Sequence, residues 1–370
     1  MWRRFAIAAA ETLADTEVWE YSLPRSGVLS GVLLHIENTN GGTDNLINAI
    51  YKNIAKIQLV DGGRVLLDLT GVQAEFLSLL NTGGEPRSVV REDASAVQTF
   101  QALILFGRHL WDNEMGLDLS KLRNPKLRVD VDFTTVRGVG ATGFVTGSGT
   151  MSGVLFVNDG ADSPSPDRYV KSHEIKRWTT AASGDEVTQG PVDGPWRRLI
   201  VRAHVAGSLP NAVLTDIKVA FDSGQFVAID EQTKWQSHAL PLILGRHPRI
   251  EQTLSRTDAE TIDIEHASIE HYSLSTTSIL DRVQLTAYVH GNIVTSVVVG
   301  STAAASSADN VLTLATWPAH PFMSFMYDFI GMGDLGAEAY ERADIQLTQA
   351  VAAAAASIVL QQSMENRAVG

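Results

Sequence analysis

Residues 55–69 read AKIQLVDGGRVLLDL, and this stretch decides the fold class. Apolar and polar side chains alternate on both sides of Asp61-Gly62-Gly63, which is the pattern of two strands joined by a tight turn. Glycine supplies the positive φ that such turns need. The pattern returns at residues 215–230, TDIKVAFDSGQFVAID, with one residue inserted. A hairpin that occurs twice in one chain indicates a duplicated β domain.

A second pair of segments supports the duplication. Residues 109–134 align with residues 325–350, which places Trp111 over Tyr327. An apolar strand then follows Pro125 in the first half and Arg342 in the second half. Because the landmarks come in the same order in both halves, we interpret the chain as an internal repeat.

The rest of the chain also has strand character. Short runs of Val, Ile, Leu and Thr are bounded by Gly, Asn, Asp, Ser or Pro, whereas helical patterns are few and include residues 72–80. Strands do not alternate with long helices, so the sequence predicts an all-β fold of two sandwiches. Two prolines with Ser, Asp and Gly at residues 159–172 mark the boundary.

Composition excludes several classes of protein. The 370 residues are 44% hydrophobic and 19% charged, as in an ordered globular protein. The net charge of −13 argues against a general nucleic-acid binder, and we expect no direct sequence-specific nucleic acid binding. The absence of cysteine excludes disulfides, thiol catalysis and cysteine zinc sites. No apolar run approaches the ~18 residues of a membrane helix.

The first residues, MWRRFAIAAAETLADTE, place two arginines before a short apolar run. That run is too short for a secretory signal, and acidic residues follow it directly. We therefore expect residues 1–25 to form an N-terminal helical arm that docks on a neighbour or a surface.

Residues 138–149, GVGATGFVTGSG, contain the spacing of a dinucleotide-binding loop at Gly138, Gly140 and Gly143. Such a loop must open a helix whose amides face the pyrophosphate. The β-branched residues and glycines that follow cannot begin a stable helix. We expect a hairpin loop that joins the last two strands of the first domain, with residues 350–356 as its counterpart, and no cofactor.

No catalytic or metal constellation emerges. His266, Glu270 and His271 miss the H-x-x-E-H spacing of zinc proteases by one residue, and no H-x-H pattern of metal cupins occurs. Asp130 and Asp132 share the polar side of a half-buried strand. We expect no enzyme, no catalytic residue, no metal site and no cofactor. The aromatic and methionine-rich residues 317–329 favour a core or a subunit interface over a ligand groove.

Residues 23–39, 57–71 and 168–184, with a Pro-Trp-Arg-Arg-Leu entry into the following strand, resemble the double jelly-roll major capsid proteins of tailless icosahedral bacterial and archaeal viruses, the lineage of the adenovirus hexon. The resemblance spans most of the chain and lies in hydrophobic pattern and turn positions. It implies two tandem eight-stranded jelly rolls, at residues 26–160 and 172–370, with a linker at 161–171. The compact length implies short loops on the outer side.

The resemblance also implies a function. Three copies would form a pseudo-hexameric capsomer, a homotrimer that packs into an icosahedral shell with minor capsid and vertex proteins, in the virion and in the host cytoplasm during assembly. The arm, with Trp2, Arg3, Arg4 and Phe5, could contact an internal membrane, whose headgroups attract arginine. The alternative is a secreted two-sandwich protein that binds or processes carbohydrate, which predicts an exposed aromatic platform.

Overall fold

The structure is a computed structural model. It describes residues 1–42, 45, 48–83, 88–137, 142–160, 165–236, 250–256, 260–263, 272–276, 284–290, 293–299, 310–316, 320–329 and 334–367.

The first half forms a sandwich of two sheets, which we call roll 1. Its first sheet has the strand order β1 (Trp2–Thr12), β10 (Thr150–Asn158), β3 (Val28–Thr39) and β7 (Val97–Leu105), with the short β8 (Leu117–Asp118) beside β3. Its second sheet has the order β2 (Thr16–Ser22), β9 (Pro125–Asp132), β4 (Ile54–Asp61) and β5 (Arg64–Leu69).

The second half repeats this arrangement as roll 2. One sheet has the order β11 (Arg168–Thr179), β24 (Ala355–Glu365), β13 (Trp196–His204) and β22 (Ser324–Asp328); the other has β12 (Gly184–Gly190), β23 (Ala343–Gln349), β14 (Leu214–Phe221) and β15 (Phe226–Gln232). The two rolls therefore have the same strand order, each with the eight strands of a jelly roll. The all-β fold of two tandem jelly rolls is confirmed.

Strand register shows how closely the rolls match. The β4–β5 ladder is interrupted by a bulge just beyond the pair Leu59–Leu67, and the β14–β15 ladder has its bulge just beyond the pair Val219–Ile229. The pairs Gln58–Asp68 and Lys218–Asp230 each come one step before the bulge. The β1–β10 ladder has a bulge after Ala6, and the β11–β24 ladder has one after Glu174. Bulges are specific local features, so their agreement sets the residue correspondence between the rolls.

This correspondence corrects the sequence alignment in detail. Gln58 corresponds to Lys218 as expected, but the β14–β15 turn is longer than one inserted residue allows. Trp111 lies in the loop after β7, whereas Tyr327 lies within β22. The duplication is thus real, but the alignment of Trp111 with Tyr327 is wrong.

Each roll encloses its own apolar core. Leu34, Phe100 and Leu127 are fully buried in the core of roll 1. In roll 2, Trp196 is fully buried, donates from Nε1 to the carbonyl of Pro191 at 2.8 Å and packs on Phe221. Alternating side chains of the two facing sheets fill both cores, which is why the strands alternate so regularly in sequence.

Helices are few in the described residues. Helix α1 (Gly71–Thr82) follows β5 where the sequence predicts one, and a second, one-turn helix α2 (Pro210–Val213) precedes β14. Short 3₁₀ turns occupy Ile50–Asn53, Leu119–Lys121, Asp222–Gly224, Thr233–Trp235, Pro321–Met323 and Ala337–Ala339. The side chain of Thr70 accepts from the backbone of Gln73 while the Gln73 side chain accepts from that of Thr70, so a capping box starts α1.

The N-terminus differs from the expectation. Residues 2–12 are not a helical arm but strand β1, which pairs along β10, and residues 16–22 are strand β2. The alanines of this segment favour a helix in isolation, but pairing with a buried neighbouring strand overrides that local preference. Roll 1 thus begins with the first strand, inside the range 1–25 that we expected to be an arm.

The connection after β15 is also larger than expected. Between β15 and β22 the chain forms a sheet of β18 (Tyr272–Thr276), β21 (Asn310–Thr316) and β16 (Ile250–Arg256), joined in parallel by β6 (Val90–Arg91). Strands β17 (Glu260–Asp263), β20 (Ile293–Val299) and β19 (Gln284–His290) form a further sheet. This connection of roll 2 is therefore long and has strands of its own, whereas the expectation of short loops on the outer side of a shell stays a prediction.

Candidate assembly surface

The two rolls are joined edge to edge. Strand β5 of roll 1 pairs in parallel with β11 of roll 2 through Asp68 and His173, which makes one eight-stranded sheet across both rolls. Near the start of β11, the backbone N–H of Val170 donates to the carbonyl of Phe106 at 2.8 Å, and the N–H of Gly116 donates to the carbonyl of Arg168 at 3.0 Å. The junction is thus built from backbone hydrogen bonds as well as side chains.

Burial at this junction changes the protonation of one histidine. Burial and the neighbouring Lys171 lower the pKa of His173 to about 4, although the carboxylate of Asp193 acts in the opposite direction. The imidazole is therefore neutral at physiological pH. Burial likewise lowers the pKa of Lys171.

Helix α1 of roll 1 covers the outer surface of roll 2. Three apolar side chains lie side by side there, Val359 on β24, Ile200 on β13 and Met326 on β22, and we call them the outer row of roll 2. They are only 2%, 3% and 3% exposed. Phe76 of α1 lies in the same apolar cluster. The roll 2 row is therefore sealed by a part of roll 1.

Gln73 of α1 adds a polar contact to this seal. Its Nε2 donates to Ser357 Oγ at 3.1 Å and to the carboxylate of Glu174, both on roll 2. The opposite end of α1 closes the edge of β7: Ser78 Oγ accepts from the N–H of Leu103 at 3.0 Å. One helix thus covers a sheet edge of its own roll and a sheet face of the other.

Within the described residues, no helix seals the corresponding row of roll 1. Val154 on β10, Leu33 on β3 and Leu103 on β7 pair in the same order and occupy the corresponding register positions, and we call them the outer row of roll 1. All three are only half-buried. The same apolar stripe is therefore closed in roll 2 and partly open in roll 1.

Trp2, Arg3, Arg4 and Phe5, expected on a separate arm, lie on strand β1 at the edge of this open face. The Arg4 guanidinium lies 5.9 Å from the ring centre of Trp111 and 5.7 Å from that of Phe156. Arg3 pairs with Asp159 at 3.1 Å. Within the described residues Arg4 has no carboxylate partner. The arginines are thus fixed on a strand, and both are exposed.

A second open edge lies on roll 2. Strand β15 ends its sheet, and Phe226 and Trp235, at and just beyond its two ends, are 40% and 58% exposed. Asp230 and Glu231 give this edge a negative charge; Asp230 lies 3.3 Å from Lys218 on the neighbouring strand. Sequence reasoning missed this edge, because an exposed tryptophan cannot be told from a buried one without the fold.

Two buried carboxyl groups have strongly shifted pKa values. Burial raises the pKa of Glu75 on α1 to about 8, against the hydrogen bond that its carboxylate accepts from Ser88. Burial alone would raise the pKa of Asp112, but Arg108 and the N–H groups of Glu114 and Met115 hold it well below its usual range. These groups have structural partners and form no cleft with each other.

The candidate chemical motifs fall partly outside the described residues. His266, Glu270 and His271 lie outside them, as do Gly138 and Gly140. Thr142 and Gly143 belong to the connection between β9 and β10, and residues 350–354 connect β23 to β24, so the predicted place of this loop between the last two strands is confirmed. Asp132 accepts from Thr134 and Thr135, and the hydrogen bonds lower its pKa.

The described part of the chain contains no cluster of three or more possible metal-ligating side chains, and no helix in it is long and apolar enough to span a membrane. Of the residues around 317–329, Phe325 and Tyr327 lie in the core of roll 2 and Met326 in the seal between the rolls, as the preference for core or interface predicts.

Comparison with solved structures identifies the fold. The STIV major capsid protein matches with a TM-score of 0.60 and 12% identity over 98% of this chain and 96% of that one. The PBCV-1 virus capsid matches with 0.56 and 11% over 99% and 95%, and the major capsid protein P2 of bacteriophage PM2 with 0.50 and 10% over 98% and 97%. No family model and no curated protein sequence matches. The chain is similar, over nearly its whole length, to double jelly-roll viral major capsid proteins and has their fold.

Proposed function

We propose that this chain is a major capsid protein, and that three copies form a homotrimeric, pseudo-hexameric capsomer of an icosahedral viral shell. The observation that carries the proposal is the unequal cover of two equivalent surfaces. The outer row of roll 2 is sealed by α1, whereas the outer row of roll 1 is half-buried. A second copy that presents its roll 2 would seal roll 1 in the same way.

Such a contact is head-to-tail, because it joins two different surfaces of the same chain. Head-to-tail contacts close into rings when the rotation between copies fits, and otherwise grow into filaments. Within one chain, the pairing of β5 with β11 already joins roll 1 to roll 2. If the same step joins one copy to the next, a ring of alternating rolls results, and the similarity to capsid proteins supports a ring of three.

The proposal places the protein in the virion, with host cytoplasm as the site of assembly and with minor capsid and vertex proteins as further partners. Contact of Trp2, Arg3, Arg4 and Phe5 with an internal membrane would have to be made from strand β1, since these residues form no separate arm. The carbohydrate alternative is not favoured, because the exposed aromatics of the described residues are dispersed, with Phe5 on roll 1 and Phe226 and Trp235 near opposite ends of β15.

The proposal is tested by size-exclusion chromatography with light scattering on the purified chain, followed by electron microscopy. We expect a stable particle of three times 40.0 kDa with a hexagonal outline. A chain that stays monomeric at every concentration tested, and binds an oligosaccharide instead, would refute the capsid function.

A further inference from the structure

We infer that strand β15 of one copy pairs in parallel with strand β1 of a second copy, with Trp235 as the apolar anchor of that contact. This inference rests on the proposed function and deepens it, since it names the residues that join one copy to the next.

The register follows from the junction inside the chain. There, Asp68 of β5 pairs with His173 of β11. Asp68 corresponds to Asp230, because each belongs to the next-to-last pair before the same bulge in its hairpin. His173 corresponds to Phe5, because each immediately precedes the residue at which its strand bulges. The equivalent pair between two copies is therefore Asp230 with Phe5.

In the part of the chain that the structure describes, both strands have a neighbouring strand on one side only. Strands β1 and β15 are the last strands of their sheets. Phe5 is 37% exposed and Phe226 is 40% exposed, although both belong to a residue type that is usually buried. Open edges with apolar side chains pair readily with other strands. Pairing the two edges would cover both in one contact.

The charges of the two strands are complementary. Strand β1 carries Arg3 and Arg4, and strand β15 carries Asp230 and Glu231. In the inferred register Glu231 lies opposite Ala6, which makes it a diagonal neighbour of Arg4 on the same face of the sheet. Arg4 has no carboxylate partner among the described residues of its own chain. A second copy would supply one.

Trp235 takes the place that Gln73 has in the internal junction. It follows Asp230 by as many residues as Gln73 follows Asp68. Gln73 contacts Ser357 and Glu174 of roll 2. Their counterparts in roll 1 are Ser152 and Ala6, next to Val154 of the open outer row. A tryptophan there fits an interface anchor, and the small Ala6 leaves room for its ring.

The test is a disulfide cross-link, which is clean because the chain has no cysteine of its own. We would make the double variant Phe5→Cys and Asp230→Cys and, as a matched control, Asp68→Cys and His173→Cys. Paired strand positions bring the Cα atoms within disulfide range. After oxidation the first variant should run as covalent dimers and trimers on a non-reducing gel, whereas the control should lose its thiols within one monomeric chain.

The outcomes separate the inference from the proposed function. If the protein is trimeric in solution and the control cross-links, but the test variant does not, the inferred contact is wrong and the capsid function stands. If the chain is monomeric throughout, the proposed function fails and the inference fails with it.

Charge reversal provides a second test that does not depend on cysteine chemistry. Arg4→Glu alone and Glu231→Arg alone should each weaken trimer association roughly tenfold or more, and the double variant should recover most of it. Trp235→Ala should weaken association by a similar factor, whereas Val18→Ala, an exposed side chain on β2, should leave it unchanged. Equal trimer stability in all of these variants would overturn the inference.

Discussion

Single residues within this fold respond to surroundings that the sequence does not display. Glu75 is the clearest case, since a glutamate on a helix is ordinarily solvated, yet here it is 1% exposed. Its carboxyl group keeps a proton because burial raises its pKa to about 8. The carboxyl can then donate as well as accept a hydrogen bond inside the protein.

Glu75→Gln should stabilise the protein at neutral pH. In the folded state the pKa of Glu75 lies above its unfolded value, so the folded protein binds more protons between about pH 4.5 and 8 and stability falls as the pH rises through that window. The glutamine keeps the shape and removes the ionisation. Denaturant unfolding at pH 7 should show a gain of up to about 3 kcal/mol that vanishes near pH 4. An equal gain at both pH values would contradict this account.

At the scale of elements, the short helix α1 contacts both rolls. It begins at a capping box, ends at Gly83 in the left-handed conformation with φ of 60°, and is buried over most of its length. The sequence predicts the helix from residues 72–80, but not its position between two rolls. That position follows from the order of strands, because the helix leaves β5 at the edge where roll 2 begins.

Two substitutions distinguish how much the N-cap of α1 and how much its packing against roll 2 contribute to stability. Thr70→Ala removes the N-cap and should cost about 1 kcal/mol of unfolding free energy. Phe76→Ala should cost about 3–5 kcal/mol, since it opens a cavity against the outer row of roll 2. Chemical denaturation measures both. A larger effect for Thr70→Ala than for Phe76→Ala would show that the seal between the rolls is weak.

At the scale of the whole molecule, the junction between the rolls sets how they respond to acid. The folded-state pKa of His173 is depressed to about 4, so the unfolded chain binds a proton more readily. Stability contributed by the neutral imidazole is complete above about pH 6.5 and is lost as the pH falls towards 4. Lys171, which lies near, adds repulsion to a charged imidazole, while Asp193 partly offsets it.

His173→Gln should flatten the loss of stability between pH 6.5 and 4, without changing stability near pH 8 by a comparable amount. Thermal unfolding across that pH range measures the slope, and Lys171→Gln serves as the comparison, because it removes only the repulsion. A slope identical to that of the unchanged chain would exclude His173 as the cause.

The sequence by itself determined the strand content, the duplication and the place of the glycine-rich loop between the last two strands. It could do so because alternation of apolar residues and turn chemistry are local signals. The prediction of a helix at the N-terminus was wrong, because an alanine-rich segment forms a strand when a neighbouring strand pairs with it. The sequence also could not reveal the two open edges.

Only the tertiary structure decided which apolar residues are covered. Val359 and Val154 occupy equivalent positions in the two rolls and both fit a strand, yet one is sealed by α1 and the other remains half-buried. The difference comes from the position of α1, which follows β5 at the junction and therefore packs on the sheet of roll 2. Burial of a strand face depends on what packs against it, and that is a property of the assembled fold.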